Sequence, residues 1–159
     1  MISHCIKSNG FSLVELVTTI LLIGILAVTV LPRLLSDSSY SAFTLRNEFI
    51  SELRQAQLRA MHNADRCYAV SVSTTHYQLK HFSGRVGNAC TGQIRTEENQ
   101  ALQGGATIAL TAGGSQSFEL VFDQAGRVIN QNCNGVCFTV SADDVVQIGV
   151  STEGYIYAL

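Results

Sequence analysis

The chain has 159 residues, enough for one domain or one domain with an appendage, and too few for a multidomain enzyme. A formal charge of -2, with 14% of residues charged, excludes the overall basic field that gathers nucleic acid. With 47% hydrophobic residues and one proline, the composition is not that of a disordered chain. Residues 1–10, MISHCIKSNG, are polar, carry Lys7 and end in Gly10. Phe11 to Leu31 follows as 21 residues, predicting about 31 Å of helix, which matches the hydrocarbon core of a bilayer. No A-x-A-like site follows it, so the segment reads as an anchor and not as a secretion signal. Lys7 favours a cytoplasmic N-terminus, and Arg33 on the far side partly offsets that bias. Glu15 is the exception within this segment, because an ionisable group in hydrocarbon is costly unless it lies near the headgroups or meets a cation.

Pro32 is expected to bend the helix or loosen its preceding turn, since it removes a donor and crowds the turn before it. The Ser36-Asp37-Ser38-Ser39 cluster suits a second soft point or a fresh N-cap. From Tyr40 to about Asn63, Phe49, Leu53, Ala56, Ala60 and Ala64 recur at three- and four-residue steps, predicting an amphipathic helix over 40–63. Arg46, Glu48, Glu52, Arg54 and Arg59 interrupt on its other faces. Alternation then takes over. Cys67–Ser73 and Tyr77–Phe82 read as a hairpin around Thr74-Thr75, and residues 83–105 read as loop. Thr107–Thr111 and Ser117–Phe122 flank Gly113-Gly114, which suits a second tight connection, with Phe118, Leu120 and Phe122 on one face. Further strands are expected at Val128-Ile129, Val136–Ser141, Val145–Val150 and Tyr155–Ala158.

The run Gly10-Phe11-Ser12-Leu13-Val14-Glu15-Leu16 resembles the processing site of type IV prepilins and of type II secretion pseudopilins. Gly24 and Pro32 stand where many pilins have helix-softening residues. Glu52–His62, Phe122-Asp-Gln-Ala-Gly126-Arg127 and Ile148…Gly154-Tyr-Ile156 are similar to regions of the FimT and GspH group of minor pilins and pseudopilins. The resemblance implies an α+β, pilin-like fold: a long N-terminal helix, membrane-spanning in its first half, packed on an antiparallel β domain. It implies a leader at 1–10, a transmembrane and filament-core helix at 11–31, and a periplasmic domain at 32–159 with its β region from about 67. It also implies cleavage after Gly10 by a prepilin peptidase, N-methylation of Phe11, and assembly with other pilins through the N-terminal helices. In that setting the Phe11 amine of a neighbouring chain is the cation that Glu15 needs. The poorly charged, cysteine-bearing domain most resembles minor prepilins of mannose-sensitive haemagglutinin (MSHA) pili. A GspH-like pseudopilin and a membrane-anchored periplasmic binding protein or enzyme are the competing readings.

Loss of the leader removes Cys5 and leaves Cys67, Cys90, Cys133 and Cys137, an even set that reads as disulfides in an oxidising compartment. Three pairings are open. Cys67–Cys90 with Cys133–Cys137 is favoured, because Asn134-Gly135 is a turn that brings the second pair together. A four-thiolate zinc site lacks the usual C-x2-C spacing. His62 ends the helix, where a cation suits the dipole, and His76 and His81 fall on opposite strand faces. Glu97-Glu98 and Asp143-Asp144 read as solvated loop pairs without the EF-hand pattern. No nucleophile elbow, phosphate loop or metalloprotease motif is present, so neither an enzyme nor a cofactor is expected. Nucleic acid is not an expected partner: Ser151–Leu159 contains no Lys or Arg, unlike the basic C-terminal regions of DNA-capturing minor pilins.

Overall fold

The structure, a computed structural model, describes residues 11–34 and 41–159, with side chains in the first stretch described as far as Thr29. Gly10, the leader and the Ser36–Ser39 cluster lie outside the described residues. The chain divides into two compact units, 1–37 and 38–159. The first contains α1, Leu13–Leu34, a 22-residue helix that runs past both Gly24 and Pro32. Among the described residues no helix is long and apolar enough to cross a membrane. The expectation of a membrane-spanning first half thus has no support among the described residues.

The second unit begins with α2, Ala42–His62, which lays Ala42, Leu45, Phe49, Ile50, Leu53, Ala56 and Ala60 into the core. The stripe is the expected one, except that Ala64 lies beyond the helix end and is exposed. Two donors of Asn63, its backbone N–H and its Nδ2, both reach the Arg59 carbonyl (3.1 and 2.9 Å) and turn the chain out of the helix. At the other end Ser41 is extended and makes no side-chain cap. Asp143, from 101 residues away, accepts the Ala42 N–H at 2.7 Å instead. One of the orphan donors of the first turn is thus satisfied by tertiary structure.

Two antiparallel sheets complete the unit. One has the order β3-β2-β1-β6, from Ala89–Thr96, His76–Val86, Cys67–Val72 and Phe118–Phe122, with the short β4 (Gln100-Ala101) also pairing β2. The other has the order β5-β7-β8-β9, from Thr107–Leu110, Gly135–Ser141, Val145–Val150 and Ile156–Ala158. Their inner faces and α2 share one core, where Phe49 meets Tyr77 and Phe138 edge to face at 5.2 and 5.7 Å. Phe118, Leu120 and Phe122 belong to it, as the alternation predicts. On the outer face of the first sheet, Cys67, Ala69, Phe82 and Val121 form a smaller cluster with Cys90 and Ile129 against it.

Three expectations are corrected. Residues 83–105 are not simply loop: β2 continues to Val86 and turns into β3, and β4 follows. β3 is almost wholly exposed, so neither of its faces had to be apolar and no period-two signal was written there. Gly113-Gly114 does not close a hairpin, because β5 and β6 belong to different sheets. The two glycines, at φ +86° and +66°, form a turn in which Gly114 N–H reaches Leu110 O at 3.0 Å. Two apolar runs about a Gly-Gly look alike whether the chain pairs back or crosses to another sheet. Val128-Ile129 is an isolated bridge to Phe122 and not a strand of either sheet. Ile129 N–H reaches Val121 O at 3.0 Å, while Asn130 accepts from Val121 N–H (2.8 Å) and donates to Glu119 O (2.7 Å). That segment covers the β6 edge, which would otherwise present unpaired backbone groups.

Candidate assembly site

Among the described residues of α1 the large apolar side chains lie open. Phe11 is 80% exposed, Leu13 78% and Val28 76%, and Leu16, Ile20, Leu21 and Leu26 are exposed as well. Among the described residues of this unit nothing covers the run, an exposure larger than scattered surface apolar residues give. Its hydroxyls are turned inward to the backbone: Thr18 donates to Glu15 O (3.0 Å), Thr19 to Leu16 O (2.8 Å) and Thr29 to Ile25 O (3.1 Å). Such bonds hide the polar atoms from an apolar neighbour. Between Leu13 and Thr29, Glu15 is the one ionisable residue, and it occupies the first turn of α1. There the helix dipole favours its carboxylate. Phe11 lies just ahead of the helix, so the structure keeps Phe11 and Glu15 at one end of the apolar surface.

In the second unit, both disulfides are present. Cys67–Cys90, with Cα atoms 5.5 Å apart, ties β1 to β3 across β2. Cys133–Cys137, with Cα atoms 5.2 Å apart, closes the turn through Asn134-Gly135 at the start of β7. Among the described residues no cluster of His, Cys, Asp or Glu is arranged to hold a metal ion.

The acidic pairs are not simply solvated. Only Glu98 of the first pair is exposed. Glu97 is gripped by Arg59 of α2, by His81 of β2 (2.9 Å) and by Arg95 of β3 (3.0 Å). Burial pushes the Glu97 carboxyl up, but hydrogen bonds from Arg59, His81 and Arg95 outweigh it and hold the group below its ordinary range. Glu52, a neighbour on α2, is raised by burial and then by the Glu97 charge, with Arg59 opposing. Asp143 caps α2, and Asp144 accepts its own turn's Val145 N–H at 2.7 Å. The described histidines each have a hydrogen-bonding partner. His76 Nδ1 lies 3.0 Å from the hydroxyls of Ser73 and Thr75, and His62 Nδ1 lies 2.7 Å from Leu58 O.

The polar residues of α2 do more than interrupt a stripe. Arg54 donates to Ile156 O and Arg46 to Leu159 O, both at 2.8 Å. Gln57, which the sequence reading did not single out, donates from Nε2 to Gly126 O (2.6 Å) and Gly154 O (2.7 Å). The two glycine-bearing turns noted in the sequence are therefore brought together under one amide. A glutamine between Ala56 and Leu58 carries no local mark of that role.

No protein-family model and no curated protein matches the chain. Among solved structures, it is similar to the crystal structure of the type IV minor pilin FimU of Pseudomonas aeruginosa. The identity is 12% and the TM-score 0.49, over 72% of this chain and 89% of that one.

Proposed function

We propose that this chain is a minor pilin of a type IV pilus, of the MSHA-like kind, acting in pilus assembly and surface attachment. The observation that carries the reading is the Gly10-Phe11…Glu15 motif at the head of a helix whose apolar side chains are open along its described length. A disulfide-bonded α+β domain behind such a helix is what a subunit exported to an oxidising compartment requires. In this reading prepilin peptidase cleaves after Gly10 and Phe11 is N-methylated. The Phe11–Leu31 segment first anchors the chain in the inner membrane, with the second unit in the periplasm, and then joins other pilins in the filament core. Once Gly10 is gone, the Phe11 amine and the Glu15 carboxylate are opposite charges at one end of an apolar helix. Each is costly alone in hydrocarbon, so docking that pairs them across subunits is favoured over docking that does not.

Intact-mass measurement on membrane-extracted protein tests the processing step: the chain should begin at Phe11 and carry one added methyl group. A full-length chain in cells with active peptidase would refute it. Deletion of the protein should reduce surface pili and attachment while leaving export of folded enzymes intact. Normal piliation with exoproteins held in the periplasm would assign it to a type II secretion filament instead.

A further inference from the structure

The ends of α2 carry opposite charge. At its N-terminal end stand Asp143, on the Ala42 N–H, and Asp144, both exposed. Beyond its C-terminal end a cavity of about 200 Å³ is lined by Arg66 and Arg85, with Asp65, Gln124 and the Ala60 and Ala64 turns of the chain. The ion pairs among the described residues use Arg59, Lys80, His81, Arg95 and Arg127; the guanidinium groups of Arg66 and Arg85 enter none. Nor does either make a side-chain hydrogen bond among the described residues, although both line the same cavity. The carbonyls that would repel an anion there are partly occupied, since Gln124 Nε2 donates to Ala64 O at 2.7 Å and Asn63 covers Arg59 O. The 21 residues of α2 separate the two ends by about 30 Å.

We propose that the Arg66/Arg85 cavity is a carboxylate-binding site filled by the Asp143-Asp144 turn of a second copy of this chain, stacked head to tail. The two guanidinium groups outnumber the single Asp65 carboxylate in the cavity, and this positive excess against two exposed carboxylates gives the complementarity. Because the two patches sit on opposite ends of one unit, the contact is heterologous and can repeat from copy to copy. The proposal deepens the filament reading by naming a contact between the second units. It does not depend on cleavage at Gly10 or on α1.

The test is sedimentation velocity on the full chain in detergent micelles at low and high salt. Wild type should self-associate at low salt and lose about tenfold in association on moving to high salt. Arg66→Glu/Arg85→Glu should be monomeric, and so should Asp143→Asn/Asp144→Lys, in which the asparagine keeps the α2 cap. Mixing the two variants restores the wild-type pair of ends and also opposes the Asp144→Lys charge to the two Arg→Glu charges, so it should restore association. Near-ultraviolet circular dichroism checks that each variant is folded. Wild type that stays monomeric at low salt, variants that associate as wild type does, or a mixture that stays monomeric would each overturn the proposal. So would a monomeric chain that binds a labelled oligonucleotide through Arg66 and Arg85, which would assign the cavity to phosphate. None of these outcomes bears on whether the chain is processed at Phe11, so the two readings fail separately.

Discussion

Gln57 and Gly154 are joined by a 2.7 Å hydrogen bond from the glutamine amide to the glycine carbonyl. The same amide reaches Gly126 O, and a Cβ added at Gly154 would collide with that Gly126 carbonyl. Gly154 also sits at φ +91°, where a side chain is strained. One residue of α2 thus fastens the turn that follows β6 to the turn between β8 and β9, and so links the two sheets.

Gln57→Ala should destabilise the second unit by about 1–3 kcal/mol, because two partly buried carbonyls lose their donor. Gly154→Ala should cost at least about 2 kcal/mol, from the collision and the positive φ together. Urea unfolding with disulfides intact measures both, and a Gly154→Ala midpoint equal to wild type would contradict the packing described.

Asp143→Ala should cost about 1 kcal/mol through loss of the α2 cap, while Asp143→Asn should cost much less. Thermal unfolding of the pair separates a cap from a mere surface charge. If Asn is as damaging as Ala, the hydrogen bond to Ala42 is not what Asp143 supplies.

The sequence made α2 legible through the period of its buried face and α1 through the unbroken apolarity of its run, while the Thr74-Thr75 hairpin and the last three strands showed as short apolar runs bounded by turn residues. Phe49, Leu53, Ala56 and Ala60 were readable for the same reason. β3 was not, since it buries no face and its residues answer only to backbone pairing. The cysteine pairing was half legible: Asn134-Gly135 marks the short loop, whereas nothing local says that Cys67 and Cys90 flank the same strand. Loop context does not reveal that Glu97 is half-buried, nor that Asp143, exposed as expected, also caps α2. Their partners, Arg59 and Ala42, are set by tertiary packing that no window of sequence contains.

Stability should fall on the acid side in a way traceable to Glu97. Its folded pKa is depressed, so its contribution is present above the ordinary value of 4.5 and is lost as the pH falls through the lower folded value. Glu97→Gln should therefore be less stable than wild type at neutral pH and should show a shallower acid limb. Some slope should remain from Asp123. Burial raises that carboxyl, but hydrogen bonds from the Arg127 backbone and side chain and from Ala125 outweigh it and depress its pKa. An unchanged acid limb in Glu97→Gln would remove the cluster from the account of stability.

Replacing Cys67 and Cys90 with serine should cost about 3.5 kcal/mol in the chain-entropy model, for a bridge spanning 23 positions. The same change at Cys133 and Cys137, 4 positions apart, should cost about 2 kcal/mol. Denaturant midpoints give the order, and nonreducing peptide mapping should recover the two pairs without crossing products. A larger loss from the short loop would show that chain entropy is not the main contribution.

Glu15→Gln should leave insertion and cleavage after Gly10 unchanged and reduce recruitment into filaments. The readouts are the mass of the membrane-extracted protein and its amount in sheared pili. Normal recruitment would mean that the carboxylate has no role in subunit register.

The path of the chain also sets an order in time. α2 leaves the ribosome about ninety residues ahead of Ile156, the β9 residue that is buried in its core. At ~5–20 residues per second that interval lasts roughly 5–20 s, during which Phe49, Leu53 and Ile50 have no complete sheet to meet. The first sheet waits as well, since β1 needs β6, whose residues come some fifty positions later. Nascent chains cut short before β8 should therefore be protease-sensitive and adhere to chaperones, and native protection should come late and all at once.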